Sequence, residues 1–254
     1  MENTFDVVDA HMHMGPYSQF HVAHNDARGM IEEMDRLGIR QGWIASHAAI
    51  SADARRGNDE TAEAVRAYPG RFVGYVVVDP NYPDEVVPEL ERCLSMPEFR
   101  MIKVHPSLAQ YPLDGPNYEP IWAVAKARNC PVLTHAWGGD PLCGAQPIRR
   151  VLERHPEVRL FYGHALYPTN FAEAAEVARD FPNLWLDITS SYQGYGMIEH
   201  AVATVGAERI LYGSDMPFLA AAGAIGHILH ARISDEAKAL LLGGNARRLL
   251  AEAA

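Results

Sequence analysis

The hydrophobic positions of this chain fall into two alternating patterns. Short runs rich in β-branched and aromatic residues read as eight strands: "FDVVDAHMH", "GWIASHA", "RFVGYVVVDP", "RMIKVHP", "PVLTHAW", "VRLFYGHA", "LWLDITS" and "RILYGSDMP". Most are apolar on both faces, as parallel strands covered by helices must be. Between them lie stretches such as "DARGMIEEMDRLGI", "PIRRVLERHP" and "NFAEAAEVARDF", whose apolar residues return every three or four positions. Strand starts are roughly 25 to 30 residues apart, the pitch of repeated βα units. A closing "SDEAKALLLGGNARRLLAEAA" continues as helix, with Ser234 or Asp235 as its cap.

Eight βα units predict an α/β fold, a single (β/α)8 barrel domain over residues 1–254, with an open doubly wound sheet as the alternative. An open nucleotide-binding sheet announces itself with a Gly-rich loop after its first strand, and that place holds "HMHMGPYSQFHVAHND" instead. No linker or low-complexity segment divides the chain.

The barrel reading gives the polar residues a meaning, because barrel enzymes carry their chemistry at the C-terminal ends of the strands. Strand one ends in His11 and His13, strand four in Lys103 and His105, strand five in His135, strand six in His164 and strand eight in Asp215. On an extended strand His11 and His13 face the same way, about 7 Å apart, so two imidazoles can share a cation. His11, His13, His135 and Asp215 together offer three nitrogens and a carboxylate oxygen, a set suited to Zn²⁺, with Mn²⁺ or Fe²⁺ as alternatives. Taken singly, each has a bland reading: His135 as a hydrogen-bonded rim residue, Asp215 as a helix cap, His164 as packing, Lys103 as a snorkelling surface chain. Those readings must all hold at five strand ends at once, which favours the metal site. His47 follows "WIAS" and is a candidate pocket residue, whereas His21, His24, His155, His200, His227 and His230 read as structural or solvated.

Composition narrows the partners. The net charge of −10 is spread along the chain, which argues against nucleic acid and anionic membrane, and no apolar run reaches the ~20 residues of a membrane span. Glu2 and Asp6 near the start, with no basic apolar leader, make the cytoplasm the expected location. Cys93, Cys130 and Cys143 show no C-x-x-C spacing, so reduced thiols are expected, and Cys143 reads as a plain loop thiol. The expected partner is a small-molecule substrate, with a homodimer left open.

As an ordered set, "DAHMH", "IKVHP", "LTHAW", "FYGHA", "LYGSDMP" and "GGNARRLL" resemble the amidohydrolase superfamily, in particular its branch of compact metal-dependent TIM-barrel hydrolases and decarboxylases. The resemblance runs from Asp9 to about Leu250. It implies that His11, His13, His135 and Asp215 bind one divalent metal, usually zinc, and that His164 acts as an acid/base or polarises the substrate. In binuclear relatives the strand-four lysine is carboxylated and bridges a second ion; Lys103 stands on the matching strand, but its "Lys-x-His-Pro" setting resembles the mononuclear branch and points to one ion and a free lysine. Substrate contacts are expected from Lys103, His105 and His47. Hydrolysis of an ester, lactone or amide by metal-activated water is the first expectation, with Asp215 carrying the proton. Non-oxidative decarboxylation of an aromatic or unsaturated acid is the alternative, and a non-catalytic metal-binding barrel the third reading. Lys103 and Arg149 are candidate anion binders, and Tyr17, Trp137, Tyr192 and Tyr195 candidate aromatic contacts for a flat acid.

Overall fold

The computed structural model describes residues 5–17, 20–167, 169–189 and 194–253; Tyr192 lies outside them. Eight parallel strands form one sheet in chain order: β1 (Val7–Met14), β2 (Ile39–Ser46), β3 (Phe72–Val77), β4 (Phe99–Val104), β5 (Val132–Thr134), β6 (Leu160–Tyr162), β7 (Leu184–Asp187) and β8 (Ile210–Leu211). The two ends of the sheet meet. Ala10 N–H donates to Tyr212 O (2.9 Å), Asp215 N–H to His11 O (2.9 Å) and His13 N–H to Met216 O (2.8 Å), around a parallel bridge between Met12 and Met216. This closure makes the fold the expected (β/α)8 barrel, since an open sheet would leave β1 away from β8.

Period two along the strands sorts side chains into two apolar layers. Tyr75, Met101, Leu133 and Phe161 fill the barrel interior. Their neighbours Val76, Ile102, Val132 and Leu160 pack outward under the helices. β1 breaks this alternation. Its register against β2 shifts between Asp9 and Met12. Below the shift Val8 and Ala10 belong to the interior layer; above it Met12 packs outward, as its place between the two histidines predicts. A bulge of this kind re-aims side chains, and here it brings the odd-numbered His11 and His13 to the inside of the barrel mouth.

The helices follow the sequence cues. Asp26 caps Ala27–Leu37 by accepting from Gly29 N–H (2.7 Å), and Gly38 ends that helix in the left-handed region. Ser234, rather than Asp235, caps the final helical stretch through Ala237 N–H (3.2 Å). That stretch widens into a π-helical turn at Leu240–Gly244. There Gly243 passes so close to the start of the barrel that a Cβ would lie 1.9 Å from Asp6 O.

One expectation fails here. Arg149 sits on the helix Ala145–Arg154, whose apolar face is Ile148, Val151 and Leu152, and its guanidinium turns outward to Asp180 (2.6 Å) and Glu176 (3.6 Å). It is an outer-layer ion pair and not an anion binder of the mouth. Among the described residues no helix is long and apolar enough to cross a membrane.

Candidate metal centre

The ends of β1 and β8 bring three donor side chains into one small volume. Ligand atoms of His11, His13 and Asp215 all lie within 4.8 Å of one another. His13 Nε2 is 3.1 Å and His11 Nε2 3.8 Å from Asp215 Oδ1. Asp215 adopts a left-handed backbone (φ 64°), as does His164 (φ 57°). Such conformations are costly for residues with a Cβ, and they concentrate where side-chain direction matters more than local comfort.

The buried residues beneath explain how these rings are held. His11 Nδ1 lies 2.5 Å from Asp187 Oδ2, so Nδ1 carries the proton and Nε2 presents its lone pair to the centre. Asp187 in turn accepts through Oδ1 from the Thr189 hydroxyl (2.6 Å) and N–H (3.0 Å). Asp9 Oδ1 accepts from His11 N–H (3.2 Å) and Ser214 N–H (3.0 Å), tying β1 to the end of β8. Gly213 threads this packing: a Cβ there would fall 2.0 Å from Thr189 Oγ1 and 2.7 Å from both Asp187 Oδ1 and His11 Cβ. Asp9 and Asp187 escape a reading of the sequence, although the last residue of "LWLD" at a strand end was the available signal.

The remaining candidates stand around this core. Lys103 is buried in the interior with Nζ 2.7 Å from His11 Nε2, a cation already placed against the lone pair that a metal would use. His135 lies one ring away from the compact trio: it stacks on His105 (4.0 Å between centroids, 10°) and meets His164 edge-on at 4.7 Å. His105 Nδ1 accepts from Leu108 N–H, and His164 Nδ1 donates to Thr189 O (3.0 Å), which leaves His164 Nε2 for the mouth. His47 donates from Nδ1 to Gly15 O (2.8 Å) and packs against His13 and Phe218. Tyr17 joins it at the β1 and β8 side, while Trp137 stacks on His135 across the ring. Tyr195 is 90% exposed under the Arg232 guanidinium. Cys143 is a buried thiol whose pKa burial raises to about 12, in keeping with an inert loop cysteine.

Electrostatics favour neutral imidazoles around an anionic carboxylate. Burial, reinforced by the nearby Lys103 charge, holds the pKa of His11 well below the usual histidine value. His13, His105, His135 and His164 are lowered too, again chiefly by burial. Burial alone would raise Asp215, but the His13 hydrogen bond and the surrounding imidazoles hold it well below the carboxylate range. Burial draws Lys103 down to about 8 against the pull of Asp215 and Asp187. Neutral nitrogen donors, an ionised oxygen donor and an outer carboxylate on His11 are what a divalent ion requires, so the residues fit one.

A family model described as amidohydrolase matches residues 8–251. Among curated proteins the chain is similar to decarboxylase orsB of Emericella nidulans, 25% identical over 247 residues that cover 75% of this chain and 73% of the relative. It is also similar to γ-resorcylate decarboxylase of Polaromonas sp., 22% identical over 256 residues that cover 81% and 78%. Among solved structures it resembles a dihydroxybenzoic acid decarboxylase of Polaromonas sp. with bound manganese, at a TM-score of 0.76 and 19% identity over 98% of this chain and 97% of that one. With the family match running through nearly the whole barrel, the chain is an enzyme of the amidohydrolase family.

Proposed function

We propose that the protein is a metal-dependent, non-oxidative decarboxylase of an aromatic carboxylic acid. Both curated relatives described above are decarboxylases, which favours this reaction over the hydrolysis that the sequence reading puts first. The observation that carries the reading to this chain is the Lys103 ammonium beside the His11, His13 and Asp215 donors: a carboxylate placed there meets a cation on one side and the ion site on the other.

In this reading His11, His13 and Asp215 would hold one divalent ion, Mn²⁺ or Zn²⁺, with His135 as the further nitrogen donor that the family resemblance implies. When bound, the ion would anchor the substrate carboxylate and withdraw negative charge from it. Lys103 neutralises the same carboxylate, and His105 and His47 line the pocket. Asp215, ionised at rest, would first take up a proton from solvent water and then pass it to the ring carbon that loses its carboxyl group; the electron pair of the breaking C–C bond goes to the ring, the new C–H bond replaces it, and carbon dioxide leaves. His164, whose Nδ1 donates to Thr189 O, is left with an unprotonated Nε2 that would accept a hydrogen bond from a substrate hydroxyl and so orient the ring.

The test is incubation of manganese-loaded protein with a panel of hydroxybenzoic acids and, in parallel, of lactones and esters. Release of carbon dioxide with formation of the parent phenol supports the proposal. Ring opening of lactones with no carbon dioxide would return the assignment to a hydrolase.

A further inference from the structure

The eight loops that follow the strands, residues 15–26, 47–53, 78–82, 105–118, 135–144, 163–170, 188–196 and 212–220, contain no lysine and no arginine. The chain has 22 such residues, so their complete absence from these eight loops is a strong feature of its charge distribution, although Arg150 and Arg232 reach the loops from helices or flanking segments, at Asp114 and over Tyr195. The same loops carry six aspartates: Asp26, Asp53, Asp79, Asp114, Asp140 and Asp215. The arginines nearest to this face in sequence begin helices and are committed elsewhere. Arg28, Arg55 and Arg56 are 78%, 71% and 74% exposed and lie against Glu32, Glu89 and Glu60. Two helix N-termini that would attract an anion are already capped by Asp26 and Asp53. Among the described residues Lys103 is the one lysine or arginine that the strands hold buried at the inner ring.

What the loops offer instead is aromatic. Tyr17, Phe20 and Phe218 pack on one another at 4.8 to 5.3 Å, and across the ring Trp137 packs on Tyr167 at 4.2 Å. A charged group leaving water for such surroundings is heavily penalised unless a partner waits for it.

We propose that this mouth selects an acid bearing a single negative charge: the ion site and Lys103 take one carboxylate, the loops take an uncharged ring, and a second carboxylate is rejected. This rests on the strand-end cluster being the site of an aromatic acid, and it adds what the rest of that acid must be. The selection rests on a missing partner: these loops hold no cation for a second carboxylate, and of their aspartates Asp114 is already paired with Arg150 (2.5 Å) while Asp26 and Asp53 cap helices.

The experiment measures binding, without turnover, of benzoate, isophthalate and monomethyl isophthalate to manganese-loaded protein by the water-proton relaxation of the bound ion. The ester keeps the bulk of the second carboxyl group and removes its charge. Benzoate and the ester are expected to bind within about threefold of each other, and isophthalate at least ~10-fold more weakly. Isophthalate binding within about threefold of its ester overturns the proposal, and so does an ester as weak as isophthalate, which would mean that size and not charge is refused. If the monoacids bind as expected while no aromatic acid loses carbon dioxide, charge selection stands and the decarboxylase reading falls. If no acid perturbs the bound manganese, both fall.

Discussion

His11 Nδ1 and Asp187 Oδ2 are 2.5 Å apart, joining a residue of β1 to the last residue of β7 across 176 positions of sequence. Both are buried, so the imidazole cannot turn without abandoning a carboxylate inside the barrel. The orientation of His11 Nε2 is thereby fixed before any ion arrives. Asp187→Ala is expected to lower manganese affinity about 10- to 100-fold, as loss of an outer carboxylate on a ligating histidine does elsewhere. Equilibrium dialysis of the folded variant would check it; affinity within twofold of the parent would refute the assigned role.

Asp215 occupies the point where proton transfer and ion binding meet. Asp215→Ala is expected to cut turnover by about 10²- to 10⁴-fold while the circular dichroism spectrum stays that of the parent. Dialysis of the parent against a chelator should likewise abolish activity, and added Mn²⁺ should restore it. Near-normal kcat in the variant would move the proton carrier elsewhere, with His164 the next candidate.

Gly213 is required by space and not by backbone conformation. Gly213→Ala places a methyl group against Thr189, Asp187 and His11, and overpacking of that kind costs about 1–3 kcal/mol. For a chain of this size that is a fall in Tm of several degrees, roughly 2–4 °C per kcal/mol, together with weaker metal binding because the wall that orients His11 is displaced. A variant with the parent's Tm and metal affinity would show that this wall is soft.

Acid should unfold the metal-free protein earlier than its carboxylates alone would require. Burial lowers the pKa of His47 to about 4, and it lowers His11, His13, His105, His135 and His164 as well. Between pH 4 and 6.5 the unfolded chain binds more protons at these histidines than the folded one, so stability rises with pH across that window and is lost as pH falls. His47 alone accounts for roughly 3 kcal/mol of that loss at about 1.4 kcal/mol per unit. Asp9 opposes the trend: burial raises it to about 7, so the folded state holds its proton longer and is favoured at lower pH. Urea midpoints measured from pH 4 to 7 should therefore climb, and climb more steeply in Asp9→Asn. A flat or falling profile would contradict the neutral-histidine account.

The barrel, and the gathering of His11, His13 and Asp215 at its mouth, were legible in the sequence because each strand-end motif is local. "DAHMH", "THAW" and "GSDMP" carry their own apolar anchor, polar tip and turn, and a closed ring brings them together whatever lies between. Relations across the ring were not legible. Asp187 reads as an ordinary strand end until β1 is seen to pass beside β7, and Asp9 as part of an apolar run until its carboxylate is found between the His11 and Ser214 amides. Arg149 failed for a related reason: a helix of unknown rotation does not say which residues face the mouth. The choice of reaction was hidden for a chemical reason, since one set of nitrogen and oxygen donors serves a hydrolase and a decarboxylase equally well.

The seam between β1 and β8 sets the order of events during synthesis. His11 and His13 leave the ribosome just over two hundred residues before Asp215, and the backbone bonds that flank the centre join those same two strands. A growing chain can pair seven strands and bury much of its core while the ion site does not yet exist. Metal capture is thus deferred to the closing of the ring, and a chain interrupted before β8 would carry His11, oriented by Asp187, and His13 without the Asp215 carboxylate that completes the donor set.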